Sequence, residues 1–96
     1  MKLKNRIRFL QEALREKGIA AALLSYSRDV FYYTGTAQPS YFVVLPDEYF
    51  LFVKSGFEFA INEVFIPNER VGEERNLENI YKKIFSKLSV NKKIVT

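Results

Sequence analysis

Ser25-Tyr-Ser-Arg-Asp-Val-Phe-Tyr-Tyr-Thr-Gly35, followed by Thr36-Ala-Gln-Pro-Ser40, is the stretch that decides how the rest of this chain is read. Ser27 or Asp29 offers a side-chain oxygen to the free N–H groups of a short helix running through Val30, Phe31, Tyr32 and Tyr33. Gly35 is expected to end that helix in the left-handed region, and Pro39 forbids an early restart. Residues 36–40 are therefore expected to form a loop held at both ends by rigid elements, and such loops often carry function.

Upstream of it, Leu3, Ile7, Leu10 and Leu14 recur at helical spacing, with Lys4, Arg8, Glu12, Arg15 and Glu16 toward water. A helix over residues 4–17 follows, with Gly18 as its stop and small intrahelical ion pairs among Glu12, Glu16, Arg8 and Arg15. The unbroken apolar run Ile19-Ala-Ala-Ala-Leu-Leu24 suits a strand covered on both faces. Downstream, residues 41–45 and 49–53 predict a β-hairpin around the turn Pro46-Asp-Glu48, apolar on both faces. Ser55 and Gly56 introduce a helix from Phe57 to about Val64, and residues 70–73 suit a short edge strand. Asn76 is placed to cap a last helix whose apolar stripe is Leu77, Ile80, Tyr81, Ile84, Phe85 and Leu88. After a 89–91 connection, residues 93–96 begin another strand. Helices alternating with buried strands predict an α/β fold in one domain over 1–96. A strand opened at the very end suggests a fragment of a longer protein.

Composition narrows the chemistry. The chain has 96 residues, no His and no Cys, which removes an ordinary zinc site, a Ser-His or Cys-His pair and an imidazole base. Glu58, Glu63 and the Glu73-Glu74 pair supply carboxylates, but no partner group stands at a useful spacing, and adjacent surface acids are ordinarily just solvated. No catalytic or metal-ligating residue is assigned, and the chain alone is not expected to be an enzyme. Its net charge of +4 comes with acids interspersed among the bases, so solvated helix faces explain it better than a nucleic-acid surface. The hairpin aromatics lack interleaved Lys or Arg, so core packing explains them better than base stacking. No membrane span or signal segment is visible, and a cytoplasmic protein is expected.

Taken in order, Arg6-Ile-x-x-Leu10, Lys17-Gly-Ile, Ala22-Leu-Leu, Asp29-Val-x-Tyr-x-Thr-Gly35, the hairpin and Phe59-Ala60 resemble the N-terminal domain of the creatinase/prolidase/aminopeptidase P family. The likeness runs over essentially the whole chain, and 30–35 is its most specific piece. Ala20 stands where the family often has Asp, Asp29 replaces the usual Asn, and Tyr33 replaces an aliphatic residue. The resemblance implies a mixed, mostly parallel sheet flanked by helices, ribonuclease H-like, and a domain truncated at its C-terminal end. It also implies a partner absent from this chain: a C-terminal pita-bread domain in which two Asp, one His and two Glu hold two divalent metal ions (Mn, Co or Zn). Those metals activate a water against an Xaa-Pro bond. The N-terminal domain in such proteins builds homo-oligomers, dimers first, and walls off the active site. Carried onto this sequence, residues 36–41 would line a substrate entrance for proline-containing peptides, with Gln38, Pro39 and Tyr41 the expected contacts.

A second reading is a stand-alone interaction module that dimerises or recruits a partner without any peptidase domain. Twelve of the fifteen aromatics lie between Tyr26 and Phe65, more than a core this small readily hides.

Overall fold

The first helix, α1 (Leu3–Lys17), ends as the sequence implies: Gly18 sits at φ 65°, and the Ile19 N–H reaches back 2.9 Å to the Leu14 carbonyl. In this computed structural model, which describes residues 3–85 and 94–95, that closure consumes residues 19 and 20. The first strand, β1 (Ala21–Leu24), therefore starts two residues later than its apolar run. Next come α2 (Ser27–Thr34), β2 (Ser40–Val44) and β3 (Tyr49–Val53). They are followed by α3 (Phe57–Glu63), a 3-10 turn (Asn68–Arg70), β4 (Val71–Glu73), α4 (Leu77–Phe85) and β5 (Ile94–Val95). Leu88 and the 89–91 connection lie outside the described residues.

The strands form one sheet in the order β4-β3-β2-β1-β5. The hairpin pairs β2 with β3 antiparallel (Phe42 opposite Leu51), and β1 joins β2 antiparallel (Leu23 opposite Val43). Among the described residues, parallel pairing occurs only at the edges, β3 with β4 and β1 with β5. The sheet is mixed, but it is not mostly parallel, because a hairpin and a strand returning through a short helix fill its centre. The second hairpin strand keeps the expected 49–53, while the first sits one residue earlier than the 41–45 strand suggested. Ser40 is already in the ladder opposite Val53, and Leu45 belongs to the turn, its N–H bonded to the Glu48 carbonyl at 2.8 Å.

Alternation sends residues to two separate cores. Ala22, Phe42, Val44, Leu51 and Val53 pack under α1, α2 and α3 with Ile7, Leu14, Val30 and Ala60. Ala21, Leu23, Val43, Leu45 and Phe52 pack against Ile80 and Ile84 of α4. Each fully buried Phe, Leu or Val contributes about 1.5–3 kcal/mol relative to exposure, so both helical layers are required. The expected two-sided burial of β1 is what forms. α1 is further tied to the hairpin turn, where Gln11 donates to the carbonyls of Leu45 (3.0 Å) and Glu48 (3.2 Å). Among the described residues no ion pair joins Glu12 or Glu16 to Arg8 or Arg15; Arg15 instead donates to the Pro46 carbonyl.

The entry to α2 differs from its expected form. Tyr26, in extended conformation, is the N-cap, and neither Ser27 nor Asp29 makes a capping bond. The Tyr26 carbonyl already accepts the Val30 N–H at 3.0 Å, so the chain enters the helix one residue too early for Ser27 to cap it. Asp29 remains in the first turn, where its charge suits the helix dipole.

Candidate functional site

Gly35 closes α2 at φ 91°, donating its N–H to the Phe31 carbonyl at 2.9 Å. The position admits no side chain in any case: a Cβ there would come within 2.7 Å of the Phe65 ring. The segment that follows is internally bonded. Thr34 and Thr36 are fully buried, and the Thr34 hydroxyl donates to the Val30 carbonyl at 2.7 Å. The Gln38 N–H reaches the Thr36 hydroxyl oxygen at 3.1 Å, and the Ser40 hydroxyl donates to the Gln38 carbonyl at 3.0 Å.

One carboxylate gathers this segment. Glu63 Oε1 accepts the Thr36 hydroxyl at 2.6 Å and the Ala37 N–H at 3.2 Å, and the Gln38 carboxamide lies 3.3 Å from Oε2. The Thr36 hydroxyl chiefly, joined by the Ala37 N–H and the Gln38 side chain, holds the Glu63 carboxyl below its ordinary pKa. These bonds outweigh the partial loss of solvation, which acts the other way. Glu63 was legible only as a stray acid, because its partners lie 25 to 27 residues away in sequence. The one local signal is its place as the last residue of α3, where the helix dipole disfavours a negative charge. A carboxylate there needs a compensating partner.

The expected contact residues occupy three settings. The Gln38 side chain lies on the α3 side of the sheet, with its Oε1 where a Cβ on Gly56 would approach to 2.5 Å. Pro39 is exposed, and its carbonyl accepts the Lys54 N–H at 2.8 Å, extending the hairpin ladder by one step. Tyr41 is half-buried in β2 on the α4 side, with the Lys54 ammonium 4.6 Å from its ring centre. Gln38 and Tyr41 thus flank opposite sides of the sheet end, with Pro39 at the crest between them.

The hairpin rings also carry cations that sequence order does not reveal. Arg70 stands 5.4 Å from the Tyr49 ring and 5.6 Å from Phe50, and Lys83 stands 5.5 Å from Phe52. A shallow cleft beside α3 is lined by Gly56, Phe57, Glu58, Phe59 and Glu73. Among the described residues no three Asp or Glu carboxylates lie close enough to hold a cation. With His and Cys missing from the sequence as well, these residues do not fit a metal centre. No described helix is long and apolar enough to cross a membrane.

Against known proteins, the family profile described as Creatinase/Prolidase N-terminal domain matches residues 6–95. No curated protein sequence matches significantly. Among solved structures, a prolidase from Pyrococcus furiosus superposes with a TM-score of 0.67 at 26% identity, over 77% of this chain and 23% of that one. This chain thus spans about a quarter of that prolidase. An aminopeptidase P (Xaa-Pro aminopeptidase) from Streptococcus thermophilus gives 0.72 at 16% identity, over 88% and 67% of the two chains. An Xaa-Pro aminopeptidase from Streptococcus pyogenes gives 0.68 at 15%, over 97% and 89%. At those identities the two streptococcal structures speak for the fold alone.

Proposed function

Because the chain belongs to the creatinase/prolidase N-terminal domain family, we propose that it is the non-catalytic N-terminal domain of a metal-dependent Xaa-Pro peptidase, of the proline dipeptidase or aminopeptidase P kind. The observation that carries this reading is the family match across residues 6–95, supported by the likeness to a prolidase at 26% identity. In this reading the two divalent metals (Mn, Co or Zn) belong to a C-terminal catalytic domain, since the residues of this chain do not fit them. The protein works in the cytoplasm as a homo-oligomer, a dimer first.

The domain's own contribution is the segment after Gly35. Held by α2, α3 and the hairpin, it presents exposed Ala37 and Pro39 with Gln38 and Tyr41 on either flank. Residues 36–41 form part of the wall of the substrate entrance, where Gln38, Pro39 and Tyr41 meet a proline-containing peptide. The test is kinetic, in the protein that carries the catalytic domain. Gln38→Ala and Tyr41→Phe are expected to raise KM for an Ala-Pro substrate with little change in kcat; unchanged kinetics and unchanged assembly would sink the entrance role. The isolated 96-residue chain with Mn²⁺ or Co²⁺ is expected to leave Ala-Pro uncleaved, and cleavage would overturn the non-catalytic reading.

A second reading, a stand-alone dimerisation module, draws on exposed aromatics around α2 and the end of α3. Tyr26 is 70% exposed, Phe31 56% and Phe65 42%. Light scattering of the chain decides this, a strict monomer at high concentration counting against an autonomous interface.

A further inference from the structure

We infer that Glu63 is an acid-released latch: ionised, it holds Thr36, Ala37 and Gln38 against the end of α3, and its protonation frees them. The latch takes three bonds from three consecutive residues on one carboxylate. An ionised carboxylate accepts such bonds about twice as strongly as a neutral group does. Protonation converts one oxygen into a donor, which faces a hydroxyl, an amide N–H and a carboxamide NH₂ that were all donating to it. Glu63 is exposed, so protons reach it without prior unfolding.

The surroundings limit what moves. Upstream, the Thr34 carbonyl is fixed by the Phe65 N–H at 3.0 Å; downstream, the Pro39 carbonyl is fixed by the Lys54 N–H at 2.8 Å. Residues 36–38 lie between these two main-chain anchors and keep short-range bonds of their own: the Thr36 N–H to the Thr34 hydroxyl (3.4 Å), the Gln38 N–H to the Thr36 hydroxyl (3.1 Å) and the Ser40 hydroxyl to the Gln38 carbonyl (3.0 Å). The bonds to the carboxylate are the ones that tie them to α3. Gly56 leaves the space into which the Gln38 side chain folds when latched.

The groups that act on Glu63 are the Thr36 hydroxyl, the Ala37 N–H and the Gln38 carboxamide, none of which titrates in the acid range. No described cation forms an ion pair with it. Of the charged residues on neighbouring elements, neither Arg28 and Asp29 of α2 nor Glu58 of α3 contributes to holding its pKa down. Lys54, after β3, has its ammonium over Tyr41 instead. The release is therefore the titration of a single carboxyl. As control of a substrate entrance it rests on the reading above; as a property of the segment it does not.

The test is amide hydrogen exchange and NMR on the chain between pH 7 and pH 3, reading the Ala37 N–H and the Gln38 carboxamide, with the buried Val43 and Leu51 amides as controls. With intrinsic rates removed, opening at Ala37 is expected to grow by up to about tenfold per pH unit below about pH 4.3, until the lower latched value is passed. Val43 and Leu51 should stay protected. Glu63→Gln is expected to give weak, pH-independent protection at Ala37, and Thr36→Val to move the release to higher pH. Protection at Ala37 that tracks Val43 throughout, or a Glu63→Gln variant with wild-type protection and pH response, overturns the latch. Failure of the entrance reading would look different: release as expected here, but Gln38→Ala kinetics unchanged in the catalytic protein.

Discussion

A Cβ at Gly35 would stand 2.7 Å from a ring carbon of Phe65 and 3.0 Å from the Glu63 carbonyl, on a backbone at φ 91°. Gly35→Ala therefore meets both a conformational cost and a steric one, and is expected to lower unfolding stability by about 2–3 kcal/mol in urea titrations. At Gly18, with nothing within 4 Å of the same added atom, alanine should cost about 1 kcal/mol. The difference between the two measures the packing of Phe65 over the end of α2. Gly35 was legible in the sequence because a helix stop is a local signal. Its dependence on Phe65, like the bonds from residues 36–38 to Glu63, joins residues a loop, a hairpin and a helix apart. No spacing rule reaches that far.

At the level of elements, the beginnings of α2 and α4 make a controlled comparison. Both are preceded by good capping residues, but only one uses its cap. Asn76 Oδ1 accepts the Glu78 N–H at 2.9 Å, whereas the α2 start has no side-chain cap. Asn76→Ala is expected to cost about 1 kcal/mol and Ser27→Ala only a few tenths, by thermal or urea unfolding. Local propensity holds at Asn76 because the turn before it works with the cap: the Glu74 carboxylate accepts the Asn76 N–H and the Asn79 carboxamide, both at 3.2 Å, which sets Asn76 at the helix start. At Ser27 the incoming strand β1 sets the entry, and Tyr26 takes the capping place with its main chain. The same tertiary override shifted β2 by one residue, since Ser40 completes the ladder with Val53.

For the molecule as a whole, three of the described groups, Glu63, Glu74 and Tyr33, have shifted pKa values that tie stability to pH. Glu63 and Glu74 both have pKa values lowered in the folded state, Glu74 by the Asn79 side chain first, then by the Asn76 N–H and Lys83. Groups of this kind stabilise fully above their unfolded pKa, near 4.3, and lose that contribution as pH falls through the lowered values. Tyr33 is raised by burial first, then by Tyr32 and Asp29, so it favours the fold below about pH 10 and ceases to as pH rises further. Urea midpoints are expected to be level between about pH 5 and pH 9 and to fall on either side. Glu63→Gln should flatten part of the acid fall. The layer order and the two-sided sheet were legible because apolar runs and helix stripes declare them. The hairpin was legible too, but the antiparallel seating of β1 against β2 and the cations over the hairpin rings were not, since both depend on how separate segments are laid side by side. The pairing of Ala21 with Ile94 has a consequence for how the fold is reached. Every other pairing of β1, β2 and β3 joins neighbours in the chain, so the hairpin can zip early and take up β1 soon after. The last contact needs a loop spanning most of the protein, which makes it the slow step in entropy terms. During synthesis β1 therefore waits with one apolar edge unpaired, and that edge is where a nascent chain is open to capture by a chaperone or by another copy of itself.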